Sequence, residues 1–140
     1  LKIFFDVNVL LDFFLERSPN QEQVNLVFDA LDENKFTGFV SVSVIQTCSF
    51  YLSQAKGLQV TQDIIRVILQ KFNLIDGQYD DILNALNSTQ SDLEDSIHYF
   101  IALRNHMDAI LTSDKDFLKL SKPYLPILSP VDLVDWIKIK

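Results

Sequence analysis

Asp6 closes a short apolar run, Ile3-Phe4-Phe5, and is expected to be substantially buried at its end. A lone buried carboxylate is costly unless it is hydrogen-bonded, protonated or bound to a cation. Two roles are therefore open to Asp6: capping a following helix, or holding a cation. Asp114 raises the same question, because it follows a second apolar run, Ala109 to Thr112, and so belongs at the same edge of a parallel sheet. Asp95 sits in the first turn of a helix opened by Ser91 and Glu94, an S-x-x-E capping box. Asp92, one turn earlier, reads as a helix-dipole residue. If Asp6, Asp95 and Asp114 converge, their repulsion demands a cation. Hard oxygen ligands with open water positions suit Mg²⁺ or Mn²⁺, ions that activate water.

Other chemistries lack their residues. Zinc would need a Cys or His set, but the chain has one cysteine, Cys48, and two isolated histidines, His98 and His106, which read as surface or packing residues. Gly38, Gly57 and Gly77 are too far apart for a phosphate-cradling loop, and no Ser-His-Asp or Cys-His motif is present.

The 140 residues, 48% of them hydrophobic, suit a single domain spanning residues 1–140 with a real core. A net charge of −7 argues against a broad basic surface, so any nucleic-acid contact should be local. Lys115, Lys119 and Lys122 form the one notable basic group, and their simplest reading is a solvated loop. No uncharged apolar run reaches the roughly 18 residues of a membrane span. The apolar strand begins at Leu1, so no signal peptide is expected, and a single cysteine suits a reducing cytoplasm.

The elements that must position these carboxylates alternate. Lys2 to Phe5 reads as a strand, followed by a helix through Val9 to Leu15 and, after Ser18-Pro19-Asn20, a helix from about Gln21 to Glu33. A strand at Phe36 to Val40 leads through Ser41 into a helix through Leu52, which stops at Lys56-Gly57. A helix over Val60 to Phe72, a strand at Asn73 to Ile75 and a helix over Tyr79 to Asn87 follow. Beyond the strand Ala109 to Thr112, a last strand at Leu125 to Leu128 carries Pro126, which points to a sheet edge, and a helix starts at Val131. Long crossovers between strands imply a three-layer α/β/α domain with a mainly parallel sheet of four to five strands. Ligands of such sheets bind beyond the carboxyl ends of the strands.

In this order, Phe4-Phe5-Asp6-Val7-Asn8-Val9-Leu10-Leu11-Asp12, Ser41-Val42-Ser43-Val44-Ile45, Asp92-Leu93-Glu94-Asp95 and Ile110-Leu111-Thr112-Ser113-Asp114-Lys115-Asp116-Phe117 resemble the PIN domains, closest to their VapC-like bacterial and archaeal members. The resemblance covers nearly the whole chain. It implies a metal-dependent ribonuclease acting on single-stranded RNA, often dimeric and, in toxin members, inhibited by an antitoxin protein. Asp6 matches the first acidic ligand, Asn8 the polar residue beside it, Asp95 the acid of the central helix, Asp114 the acid after the fourth strand and Thr112 its supporting hydroxyl. Asp116 matches a helper position and alternatively caps a short helix at Phe117. Where many members carry an acid after the second strand, this chain has Thr47.

The leading expectation is thus an endoribonuclease, with single-stranded or structured RNA as its partner, in which Mg²⁺ or Mn²⁺ activates water for in-line attack on a phosphodiester. Thr47 motivates a rival, a PIN module that binds RNA or a protein without cutting. A third reading, a haloacid-dehalogenase-like phosphohydrolase with Asp6 as nucleophile, would want an acid where Asn8 stands. A homodimer is expected to cover the apolar stretches Leu10 to Leu15 and Ile64 to Leu69.

Overall fold

In the computed structural model, which describes residues 1–88 and 92–139, the strand-forming runs become five strands. They are β1 (Lys2–Phe5), β2 (Thr37–Ser41), β3 (Phe72–Ile75), β4 (Ala109–Leu111) and β5 (Ile127–Leu128). The helices of the described residues are α1 (Val7–Leu15), α2 (Gln21–Asp32), α3 (Val42–Lys56), α4 (Leu58–Lys71), α5 (Tyr79–Asn87), α6 (Leu93–Arg104), α7 (Lys115–Leu118) and α8 (Pro130–Ile139).

The strands pair in the order β3-β2-β1-β4-β5, every pair parallel, with Ile3 of β1 opposite Gly38 of β2 on one side and Ala109 of β4 on the other. Ile3, Phe4 and Phe5 point alternately to the two faces and all are fully buried, so helices cover both faces, the α/β layering that a parallel sheet requires. Phe5 meets Phe28 and Phe72 edge-on, and Phe28 stacks on Phe13, fastening α1 and α2 over β1 and β3. Gly38 is needed for space: a Cβ there would stand 2.8 Å from the Phe72 ring. Strand order turns at β1, with β2 and β3 on one side and β4 and β5 on the other. The crevice beyond the carboxyl ends of β1 and β4 is therefore the topological switch point.

Several boundaries shift for local reasons. β5 lies at the sheet edge as Pro126 suggests, but it is only Ile127–Leu128. Pro126 has no amide proton to give, and Leu125 is engaged in an antiparallel bridge with Lys122. Ser91 of the expected capping box lies outside the described residues. Asp92 is the N-cap of α6, its Oδ1 accepting from the Asp95 amide at 3.0 Å. The stretch Leu10 to Leu15 is not spare surface: Leu10 and Leu11 are buried, and Phe13, Phe14 and Leu15 pack against the same core. No helix of the described residues is long and apolar enough to cross a membrane.

Candidate active site

Both roles open to Asp6 can be weighed atom by atom. Oδ1 accepts from the Val7 amide at 2.8 Å, so the carboxylate does cap α1. Oδ2 accepts from the Thr112 hydroxyl at 2.8 Å, a contact across the β1–β4 switch point that a simple cap does not need. Thr112 is fully buried and its oxygen also accepts from the Asp114 amide at 3.0 Å. One hydroxyl thereby fixes Asp6 and the turn that carries Asp114.

The other polar residues of α1 hold the same turn. Asn8 Oδ1 accepts from the Ser113 amide at 3.1 Å, and Asp12 Oδ2 accepts from the Ser113 hydroxyl at 2.9 Å. Asp12 Oδ1 accepts from Arg17 Nε at 2.9 Å, which balances a carboxylate that is itself buried. Asn8 and Asp12, four positions apart on one face of α1, thus strap the helix to the loop after β4.

Asp114 caps α7, accepting from the Asp116 amide through Oδ1 at 2.9 Å. Asp95 lies almost buried in the first turn of α6, and among the described residues no donor meets its carboxylate. Burial, and then the charges of Asp92, Asp6, Asp114 and Glu94, push its pKa up to about 7. Burial likewise raises Asp6, with Asp114 pushing the same way and Thr112, His98 and Val7 opposing. The fold thus brings Asp6, Asp95 and Asp114 within electrostatic reach of one another, with Asp92 at the rim.

Other expected residues lie further from this centre. Asp116 is exposed and pairs with Lys119 on the surface at 3.4 Å. Lys115, Lys119 and Lys122 are exposed. Thr47 is half-buried on α3, and among the described residues no hydrogen bond joins it to the three acids. His98 is a neighbour of the site that the sequence pattern presents only as a surface or packing residue. It does pack, tilted against Phe4 at 5.6 Å, but it is fully buried and its Nδ1 stands 3.9 Å from Asp6 Oδ1. Burial lowers its pKa, which favours the neutral ring. One signal was available: His98 follows Asp95 by three positions and so shares its helix face.

Among the described residues no three His, Cys, Asp or Glu side chains form a ready-made ion cage. The donor chemistry nevertheless fits a hard divalent cation. The donors are all carboxylate oxygens, Asp95 has no competing donor among the described residues, and a cation would offset both the burial that chiefly raises its pKa and the repulsion from its neighbours. A few carboxylates with water filling the other positions is how Mg²⁺ is commonly held.

The chain is thus an α/β domain whose parallel sheet has an acidic crevice at its switch point, beyond the carboxyl ends of β1 and β4. The chain belongs to the PIN domain family, whose sequence profile matches residues 2–116. It is similar to ribonuclease VapC1 of Aquifex aeolicus (strain VF5), at 29% identity over 120 residues that cover 83% of each chain. Its fold is similar to that of a Pyrobaculum aerophilum protein, with a TM-score of 0.70 and 11% identity over 100% of this chain and 97% of that one. It is also similar to a chain of a toxin-antitoxin complex from Klebsiella pneumoniae, with a TM-score of 0.66 and 21% identity over 91% of this chain and 97% of the other.

Proposed function

We propose that this chain is a single-domain, metal-dependent endoribonuclease that hydrolyses phosphodiester bonds of single-stranded RNA, working in the cytoplasm as the toxin of a toxin-antitoxin pair. The observation that carries the reading is the gathering of buried Asp6 and Asp95 with Asp114 beyond the carboxyl ends of β1 and β4, where Thr112 ties Asp6 to the turn that carries Asp114 and burial with four neighbouring carboxylates raises the Asp95 pKa to about 7. Repulsion of that kind costs stability unless a ligand uses it. The similarity to a ribonuclease supports the activity, and the similarity to a chain of a toxin-antitoxin complex supports an antitoxin protein as partner.

Asp6, Asp95 and Asp114 would hold Mg²⁺ or Mn²⁺. An ion bound there would supply activation of water and charge stabilisation for the oxygen leaving phosphorus. Thr112 fixes Asp6 Oδ2 and the Asp114 amide together, so it aims two of the acids. Asn8 and Asp12 keep the turn after β4 from moving away from α1. Exposed Lys115 and Lys122 supply local positive charge for an RNA backbone on a chain whose net charge is −7.

Labelled single-stranded RNA incubated with purified protein tests this: cleavage is expected with Mn²⁺ or Mg²⁺ and none with EDTA. Thr47, which leaves the site without the fourth acid many relatives carry, favours a second reading as a non-cutting RNA- or protein-binding module. RNA retained intact by the metal-loaded protein would select it.

A two-fold homodimer belongs to the same proposal, on a different surface from Leu10 to Leu15 and from Ile64 to Leu69, where Ile68 is buried and Ile64 and Ile65 pack on the core. Tyr79, Ile82, Leu83 and Leu86 are exposed along one stripe of α5 at the spacing of a helix face. Light scattering is expected to give about 32 kDa, twice the chain mass of 16.1 kDa, and Leu86→Glu to return it to the single-chain value. A mass of 16.1 kDa for the unmodified chain across micromolar concentrations would reject the dimer.

A further inference from the structure

We propose that His98 is a positioning residue for Asp6, presenting a proton on Nδ1 to the carboxylate because a chain of hydroxyls from the start of α3 occupies its other nitrogen. The inference rests on the reading of Asp6 as a ligand-bearing acid and concerns what keeps that acid in place.

The chain of donors begins at Ser41. Its hydroxyl oxygen caps α3, accepting from the Val44 amide at 3.2 Å, and stands 2.8 Å from Ser43 Oγ. Ser43 Oγ in turn stands 3.1 Å from His98 Nε2. Ser43 Oγ is the acceptor that the Ser41 proton has among the described residues, and a Ser41 that donates to Ser43 leaves the Ser43 proton for Nε2, which makes Nε2 the bare acceptor. A neutral imidazole then carries its proton on Nδ1.

The opposite tautomer would aim the Nδ1 lone pair at Asp6 Oδ1, 3.9 Å away, so lone pairs would face each other in a buried place. Nδ1 is buried and has no hydrogen-bond partner among the described residues, so Asp6 is the acceptor it faces. At 3.9 Å the contact is an attraction between N–H dipole and carboxylate rather than a full hydrogen bond. It adds a third hold on a carboxylate already gripped by Val7 and Thr112, and it comes from a different element. His98 lies one turn beyond Asp95, so the contact ties the helix carrying one acid to the strand end carrying another.

Ser43 is exposed at the start of α3, so Ser43→Ala breaks the chain without opening the core. Two measurements decide the proposal. In metal-free protein, long-range proton–nitrogen correlation spectra are expected to show His98 protonated at Nδ1, and to show mixed tautomers in Ser43→Ala. By calorimetry with Mn²⁺, His98→Ala is expected to bind about tenfold more weakly than the unmodified chain. Ser43→Ala should fall between, and His98→Asn should recover most of the affinity because its amide offers a donor near the Nδ1 position. An Nε2–H ring in the unmodified protein, or equal Mn²⁺ affinity in folded Ser43→Ala and His98→Ala, overturns the proposal. A chain that takes up no Mn²⁺ fails the metal reading instead, and the nitrogen spectrum then decides the role of His98 by itself.

Discussion

Asp6→Asn is expected to stay folded and to cleave RNA about 1000-fold more slowly than the unmodified chain, since losing a ligand forfeits several kcal/mol of transition-state stabilisation and each 1.4 kcal/mol is about tenfold in rate. Folding should survive for a reason visible in the contacts. The substituted amide keeps one oxygen for the Val7 amide and turns its NH₂ toward Thr112. The Thr112 oxygen has a second lone pair to receive it, and the Thr112 proton can pass to Asn8 Oδ1, 3.4 Å away. Burial already disfavours the charge on Asp6, so removing that charge relieves a cost. Thermal melting is expected to show a midpoint no lower than that of the unmodified chain, alongside the loss of cleavage. Full cleavage by a repurified Asp6→Asn protein, free of contaminating nuclease, would remove Asp6 from the chemistry.

The alternation of apolar runs with helical periodicities is legible because parallel strands bury both faces and so stand out as continuous apolar segments, as in Ile3-Phe4-Phe5 and Ala109-Ile110-Leu111. The carboxyl-edge positions of Asp6 and Asp114 follow from that pattern alone. Whether Asp6 caps or binds is not legible there, and the geometry explains why. Its two oxygens do different jobs, Oδ1 capping α1 and Oδ2 meeting Thr112, which follows β4 106 positions away. Asp81 shows the same limit. It is buried, accepts from the Gln78 amide and is gripped by Arg104 of α6, a pairing set by how α5 lies on α6 rather than by any local motif. His98 reads as an isolated packing or surface residue in sequence because its partners, Asp6 and Ser43, come from the end of β1 and from α3. Leu10 to Leu15 reads as spare apolar surface because a short helix with apolar residues on most sides is ambiguous until its neighbours are known, and here α3 and α2 pack against it.

Asp95→Asn is expected to act in opposite directions on stability and on cleavage, and the stability effect should depend on pH. In the folded chain the Asp95 carboxyl is raised from 3.8 to about 7, first by burial and then by Asp92, Asp6, Asp114 and Glu94. Between those values the folded state holds a proton that the unfolded state has released. Stability supported by that proton is complete below about 4 and is lost as pH rises through about 7. An asparagine makes no such demand. Metal-free Asp95→Asn and unmodified protein should therefore melt together near pH 4 and separate as pH rises, the variant becoming the more stable. A tenfold change in proton affinity between the folded and unfolded chain corresponds to about 1.4 kcal/mol. Screening by water at the crevice rim leaves roughly 1–2 kcal/mol in all, or about 3–6 °C in midpoint at pH 8 for a chain this size. Saturating Mn²⁺ should reverse the order, because a cation that uses Asp95 stabilises the unmodified chain more than the variant. Cleavage by the variant should fall about 100-fold or more. Melting curves at pH 4 and pH 8, each with Mn²⁺ and with EDTA, test both effects. A constant offset across pH would show that the Asp95 carboxyl is not raised in the folded chain. A variant that gains as much from Mn²⁺ as the unmodified chain would place the cation elsewhere.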